Sequence, residues 1–316
     1  MNYDLIVIGD SHDGVERSLS AAAAGRQVVI VGDFDPLPSP DLMRLALLNL
    51  TGPRSVTMQA WRSEIHRLIQ CQTTAASAEL ESAGVARIPG RARFVAANSV
   101  ELTTGTVRRL ISAPEIVVAC GTRARQFCSF VGDARSVCNI ESLLDRSEIP
   151  RSIVIVGAGR TGLAAAAMLA QLGVDVTVVD EQVGSLNLSE FFSESFQELH
   201  SLNIAFRLGD EVIGTELRAD RQVAVRLASG KLLVAEAVLA CIGQEGRTGG
   251  LNLETVGVGV DDRGRLWCDN EGRTWVPTIT ALGDVIGFPR LSSQHDAAAQ
   301  SESTDAATHH ELQLSV

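Results

Sequence analysis

The sequence predicts an α/β protein made of two Rossmann-like dinucleotide-binding domains, one inserted in the other. Three observations carry that expectation. An apolar run, a glycine turn and a helix-forming stretch open the chain; the same pattern returns with a full GxGxxG fingerprint at 151–180; and apolar strand material ending in Gly283-Asp284 closes it. The expected boundaries are 1–149 and 244–316 for the outer, discontinuous domain and 150–243 for the inserted one. A length of 316 residues, 45% of them hydrophobic and 21% charged, supplies core material for two such lobes.

Taken in order, residues 5–8 read as a buried strand followed by Gly9-Asp10-Ser11-His12-Asp13-Gly14, a helix to residue 24, a stop at Gly25 and a strand at 28–31. This is the architecture of a dinucleotide-binding βαβ unit with altered chemistry. Ser11 takes the place of the middle glycine, which lets backbone lie against a diphosphate. Asp10 and Asp13 add negative charge where a helix amino terminus offers about half a positive charge. Gly32 occupies the strand end where a ribose-binding acid is expected, with Asp33 beside it. Residues 36–40 form a rigid proline linker, 41–49 a short helix, and 56–84 a largely helical stretch. Strands are expected at 92–96, 107–112 and 115–119, the last stopping at Cys120-Gly121-Thr122, and a short helix at 140–145.

The stretch 151–180 is the complete copy. A strand at 153–156 runs into Gly157-Ala158-Gly159-Arg160-Thr161-Gly162, a helix at 163–172 ends on Gly173, and a strand at 174–179 ends on Asp180. Gly157 serves the tight turn, Gly159 the approach of backbone to a pyrophosphate, and Gly162 the packing of helix on strand. Asp180 lies roughly 20 residues past the first glycine, the distance of a carboxylate that accepts from a ribose 2′-OH, so NAD is expected in preference to NADP. Beyond it, 188–202 reads as an amphipathic helix and 204–208, 212–217, 222–227 and 237–242 as strands, the last reaching Gly243. Loop and strand material at 251–260 and 264–269 precedes a strand at 278–282. The tail at 301–316 is polar.

A net charge of −11 disfavours nucleic acid or an anionic membrane surface as partner. The opening MNYDLIVIGD enters a strand directly, with no basic segment or cleavage site, and no run of 18 apolar residues occurs, so a cytoplasmic protein is expected. Six cysteines are scattered without CxxC spacing and are read as reduced, mostly buried thiols. His309 and His310 in the polar tail are not read as a metal site.

The segments YDLIVIG (3–9), GRARFV (90–95), VVACGTR (117–123), IVIVGAGRTG (153–162), LNLETVGV (251–258) and RTWVPTITALGDVIGFPRLSS (273–293) run in the order found in the FAD- and NAD(P)-dependent pyridine nucleotide-disulfide oxidoreductases, which this chain resembles over nearly its whole length. The likeness is greatest to the soluble transhydrogenase branch and its dihydrolipoamide dehydrogenase relatives. The resemblance implies FAD and NAD as cofactors and makes 1–149 with 244–316 the FAD-type domain. It implies flavin contacts at Gly9, Gly14, Asp33, Ala119, Gly121, Thr122, Gly283 and Asp284, and nicotinamide nucleotide contacts at Gly157, Gly159, Arg160, Thr161, Gly162, Asp180 and Gly243. A helix following Asp284 would aim its amino terminus at the flavin ring.

Departures from the family pattern are equally specific. The glycine-rich segment that carries redox cysteines is replaced by the short stretch 32–40, Pro40 stands where the family has a lysine, and Ala164 where it has the glutamate that pairs with that lysine. No counterpart of the carboxy-terminal dimerisation domain is expected, nor is disulfide reduction. Two readings remain open. One is a transhydrogenase-like oxidoreductase that passes hydride from NAD(P)H to flavin and on to a second nucleotide or a small acceptor, with no protein residue as nucleophile or base. The other is a catalytically degenerate member that binds NAD, and FAD weakly or not at all, as a sensor or interaction module.

Overall fold

The computed structural model describes residues 2–34, 38–50, 56–125, 136–182, 202 and 204–287. The first half contains β1 (Leu5–Ile8), α1 (His12–Ala23), β2 (Val28–Gly32), α2 (Pro40–Asn49), α3 (Met58–Ser82), β3 (Ala86–Pro89), β4 (Arg91–Ala96), β5 (Ser99–Thr104), β6 (Val107–Ser112) and β7 (Glu115–Val118). Next come β8 (Thr122–Ala124), β9 (Val137–Cys138), α4 (Ile140–Leu143), β10 (Ser152–Val156), α5 (Arg160–Gln171) and β11 (Asp175–Asp180). The remainder is β12 (Ile204–Leu208), β13 (Val212–Leu217), β14 (Val223–Leu227), β15 (Leu232–Ala235), β16 (Ala237–Ala240), β17 (Gln244–Gly246) and β18 (Ile279–Ala281), with single 3-10 turns at Leu253–Val256 and Gly283–Val285.

The chain divides into two compact units, Met1–Phe34 with Leu80–Gly121 and Gly246–Val316, and Asp35–Glu79 with Thr122–Glu245. The first holds a parallel sheet of order β18-β7-β1-β2-β3, the second one of order β9-β16-β10-β11-β12. These orders correspond strand for strand. In each, the third strand of the list feeds a helix that returns to the fourth, and an antiparallel meander (β4-β5-β6 or β13-β14-β15) leads into the second. Such parallel strands are buried on both faces, which is why LIVI at β1 and SIVIV at β10 read as near-continuous apolar runs.

The structure departs from the sequence expectation in allegiance more than in element type. Residues 35–79 and 122–149, expected with the outer domain, fall in the second compact unit. The reason is packing: Leu42, Met43 and Ala46 of α2 and Met58, Trp61 and Ile65 of α3 share one core with Leu143 and with Leu163, Ala165 and Ala166 of α5. Trp61 is buried and donates its indole N–H to the Met43 carbonyl at 3.0 Å, which fixes α3 against α2. Pro40, read as the end of a linker, is the first residue of α2, where its missing N–H costs nothing, and Ser39 caps that helix through Leu42 N–H. The expected helix at 188–202 except for residue 202, residues 36 and 37 of the linker, the polar tail and the helix after Asp284 lie outside the described residues. Among the described residues no helix is long and apolar enough to cross a membrane.

Candidate functional site

Each parallel sheet ends in a glycine turn, and the two turns are built by the same backbone hydrogen bonds. Gly9 N–H donates to Val31 and Ala119 N–H to Ile8; Gly157 N–H donates to Val179 and Cys241 N–H to Val156, all between 2.7 and 2.8 Å. The helix following each turn starts alike, with Val15 N–H to Ser11 and Leu163 N–H to Gly159, both 2.9 Å. Position by position, Gly9 matches Gly157, Ser11 matches Gly159, Gly14 matches Gly162, Gly32 matches Asp180, and Ala119 matches Cys241.

The outer glycines of both turns are required by the protein itself. Gly9 and Gly157 have φ of +101° and +105°, and a Cβ on either would collide with the next strand's backbone, at Ala119 or Cys241. A Cβ on Gly14 would stand 2.8 Å from the Ala119 methyl, and one on Gly162 would overlap the Gly157 carbonyl. Gly159 differs. It has ordinary backbone angles and no atom within 4 Å of where its Cβ would be, so packing does not demand a glycine there. It is the N-cap of the twelve-residue helix α5 and makes no side-chain cap bond, leaving an open cradle before a helix amino terminus, a geometry suited to a phosphate.

Asp180 closes this second site. Its carboxylate accepts the Ala158 N–H at 2.6 Å and the Gln182 N–H at 2.8 Å, which holds the acid at the strand end beside the fingerprint while its remaining lone pairs can accept ribose hydroxyls. Arg160, the first residue of α5, reaches Asp41 at 3.4 Å across an exposed surface, and Thr161 follows in the first turn. Gly243 accepts from Arg125 N–H, while Thr122, expected at the flavin, turns its hydroxyl to Gln244 at 3.0 Å in the second compact unit.

The first turn is furnished otherwise. Ser11 is the N-cap of α1, and its hydroxyl accepts the Gly14 N–H at 3.3 Å, so the chain itself fills the position that Gly159 leaves open. Asp13, in the first turn of the same helix, places Oδ2 2.6 Å from where a Cβ on Gly283 would stand, and Ser11 Oγ lies 3.9 Å from that point. Gly283 and Asp284 therefore sit beside the α1 amino terminus, brought there by β18 next to β7. Asp33 is exposed and, among the described residues, has no hydrogen bond to the turn of the kind Asp180 makes. Gly121 stands past the end of β7 with open space around it. The residues present fit a nicotinamide dinucleotide at the second turn; at the first they fit a flavin dinucleotide through Gly9 and Gly14 and depart from it at Ser11, Asp13 and Gly32.

Sequence reasoning flagged Ser11 and Asp13 but missed the cap bond and the approach to Gly283, which no spacing rule encodes. It also missed Cys120 and Cys241 as turn neighbours. Their thiols are not nucleophiles at neutral pH, since burial pushes Cys120 up to about 11 and Cys241 up to about 12. Among the described residues no group of three or more His, Cys, Asp or Glu could hold a metal ion.

Comparison with known proteins is consistent with this geometry. A family described as pyridine nucleotide-disulphide oxidoreductase matches residues 3–303. The soluble pyridine nucleotide transhydrogenase of Mycobacterium bovis is 31% identical over 319 residues, covering 92% of this chain and 68% of that protein. That of Pseudomonas putida is 32% identical over 323 residues, covering 93% and 69%. Among solved structures, LpdA from Mycobacterium tuberculosis superposes with a TM-score of 0.78 at 23% identity, over 98% of this chain and 72% of that one. The HOCl-induced flavoprotein disulfide reductase RclA from Escherichia coli gives 0.75 at 20% identity, over 92% and 68%. At these identities the structures establish the fold, two Rossmann-like dinucleotide-binding domains.

Proposed function

The chain belongs to the pyridine nucleotide-disulphide oxidoreductase family, and on that footing we propose that it is an FAD- and NAD(P)-dependent oxidoreductase of the transhydrogenase type. The observation that carries the reading is the second glycine turn: an open cradle at Gly159, a helix start without a side-chain cap, and a strand-end carboxylate at Asp180. In this proposal Gly157, Gly159, Arg160, Thr161 and Gly162 hold the diphosphate of the nicotinamide nucleotide, Asp180 its adenosine ribose, and Gly243 the adjoining backbone. NAD is preferred over NADP because a ribose phosphate would meet the Asp180 carboxylate. Gly9, Gly14, Asp33, Ala119, Gly121, Gly283 and Asp284 make the corresponding approach to the flavin. The flavin supplies the two-electron chemistry when bound. The protein's part is to bind and orient; no side chain is assigned as nucleophile or general base, and none is needed for hydride transfer between cofactors.

The second substrate is a further nicotinamide nucleotide or a small electron acceptor. Disulfide reduction is not part of the proposed activity, because the six cysteines include no CxxC or CxxxxC pair that could serve as a redox couple. On the family pattern the outer and inserted domains are proposed at 1–149 with 244–316 and at 150–243, with residues 35–79 and 122–149 packing in the same compact unit as the inserted one, and the site of action is the cytoplasm. The test is hydride transfer from NADH to a thionicotinamide analogue of NAD with FAD present. Transfer proportional to chain concentration supports the proposal, and its absence with NADH bound refutes it.

A second reading, a nicotinamide-nucleotide-binding member without turnover, is favoured by one observation. Around Pro40 and Ala164, where the family has a lysine–glutamate pair, α2 and α5 share an apolar core through Leu42, Met43, Leu163 and Ala165.

A further inference from the structure

We infer that a flavin dinucleotide is an exchangeable ligand of this chain and not a tightly held prosthetic group, because the chain's own Ser11 hydroxyl and Asp13 carboxylate occupy the diphosphate position of the first glycine turn. The inference rests on the FAD-dependent reading and adds how the flavin is held. Its basis is the pair of matched turns. At the second, the N-cap is Gly159, the space beyond it is empty and no side chain caps the helix. At the first, Ser11 caps α1 by taking the Gly14 N–H, one of the donors a diphosphate would otherwise use.

Asp13 adds charge to occupancy. Its Oδ2 lies 2.6 Å from where a Cβ on Gly283 would stand, so the carboxylate sits at the helix start beside the Gly283–Asp284 turn. A full negative charge there opposes a diphosphate more strongly than the helix terminus, with about half a positive charge, attracts it. The adenosine end is weakened as well. Gly32 matches Asp180 yet carries no carboxylate, although a Cβ there would be 3.5 Å from Gly9 Cα, an ordinary contact. Sterics therefore do not explain the missing acid. Gly9 and Gly14 keep the turn in shape, so the lobe retains its fold while the phosphate end loses its hold.

The experiment compares FAD with riboflavin, which has no phosphate, on the full chain and on the S11G/D13G variant, by flavin fluorescence titration. The unaltered chain is expected to lose added FAD on desalting and to bind FAD and riboflavin with similar affinity. S11G/D13G is expected to bind FAD at least about tenfold more tightly with riboflavin unchanged, and adding Gly32→Asp to tighten FAD further. An unaltered chain that keeps stoichiometric FAD through desalting overturns the inference and leaves the oxidoreductase reading intact, as does a variant whose FAD-to-riboflavin ratio does not move. Binding of neither flavin by chain or variant, with NADH binding normal, overturns both. The desalting arm needs no variant, and unchanged riboflavin affinity shows that the altered lobe is folded.

Discussion

The Asp180 carboxylate accepts the backbone N–H of Ala158 at 2.6 Å, linking the end of β11 to the middle of the glycine fingerprint on β10 and α5. One acid thus shapes the turn and offers its remaining lone pairs to a ribose. In the first compact unit the matched pair is Gly32 and Asp10, and no such link exists there, because glycine has no carboxylate to give. The difference between the two lobes is carried by a few atoms on one shared backbone.

Replacing Asp180 with Ala removes both the ribose acceptor and the partner of Ala158 N–H. NADH binding is expected to weaken about 10- to 100-fold, the worth of a hydrogen bond to a charged group, and NADPH binding to weaken less, since its ribose phosphate loses a repulsive neighbour. Nicotinamide fluorescence titration with each nucleotide measures both. Equal losses would remove the ribose role.

Gly159 and Gly162 should separate binding from folding. Gly159→Ser recreates the Ser11 cap at the second turn: NADH affinity falls at least about tenfold, while stability is unchanged or rises by a few tenths of a kcal/mol because serine caps better than glycine. Gly162→Ala forces a methyl into the Gly157 carbonyl and should cost about 2 kcal/mol or more. Denaturant melts paired with NADH titration distinguish the two.

Among the five described cysteines, Cys71 is exposed on α3 while Cys138 and Cys268 are buried and Cys120 and Cys241 nearly so in chemical effect. Brief alkylation of the native chain at neutral pH should modify Cys71 and leave the other four for the denatured chain, as read by peptide mass spectrometry. Rapid labelling of Cys120 or Cys241 would contradict the assignment of inert thiols beside the two turns.

The same thiols give stability an alkaline limit. Burial raises Cys138 and Cys241 from 9.0 to about 12 and Cys120 from 9.0 to about 11. Above the unfolded value the folded chain therefore binds more protons than the unfolded one. Stability is complete below about pH 9 and declines as pH rises from there toward the folded values. Thermal melts between about pH 8 and about pH 11 should show that decline, and Cys241→Ala should make it shallower.

Both βαβ units were legible in the sequence because buried parallel strands leave dense apolar runs, LIVI and SIVIV, next to glycines whose spacing is set by the turn. The sequence also located Asp180 and the altered position at Ser11. It did not reveal β5 or β15: SVELTT carries only Val100 and Leu102 as inward apolar residues, too few for a clear alternation, and LLVA is short. Nor could it assign α2 and α3 to a core. Periodicity shows that a helix has an apolar face, and only the tertiary structure shows that Leu42 and Trp61 meet the residues around Leu163. The Ser11 cap and the Asp13 approach to Gly283 were invisible for a similar reason, the second being a contact between residues at opposite ends of the chain.

The most direct test of the account is anaerobic rapid mixing of the chain and added FAD with NADH, monitored in the oxidised flavin band. The account predicts that the band bleaches at a rate proportional to chain concentration and that G159S, with its stability unchanged, largely abolishes the bleaching. An undiminished flavin band, in a chain that binds both NADH and FAD, would contradict it.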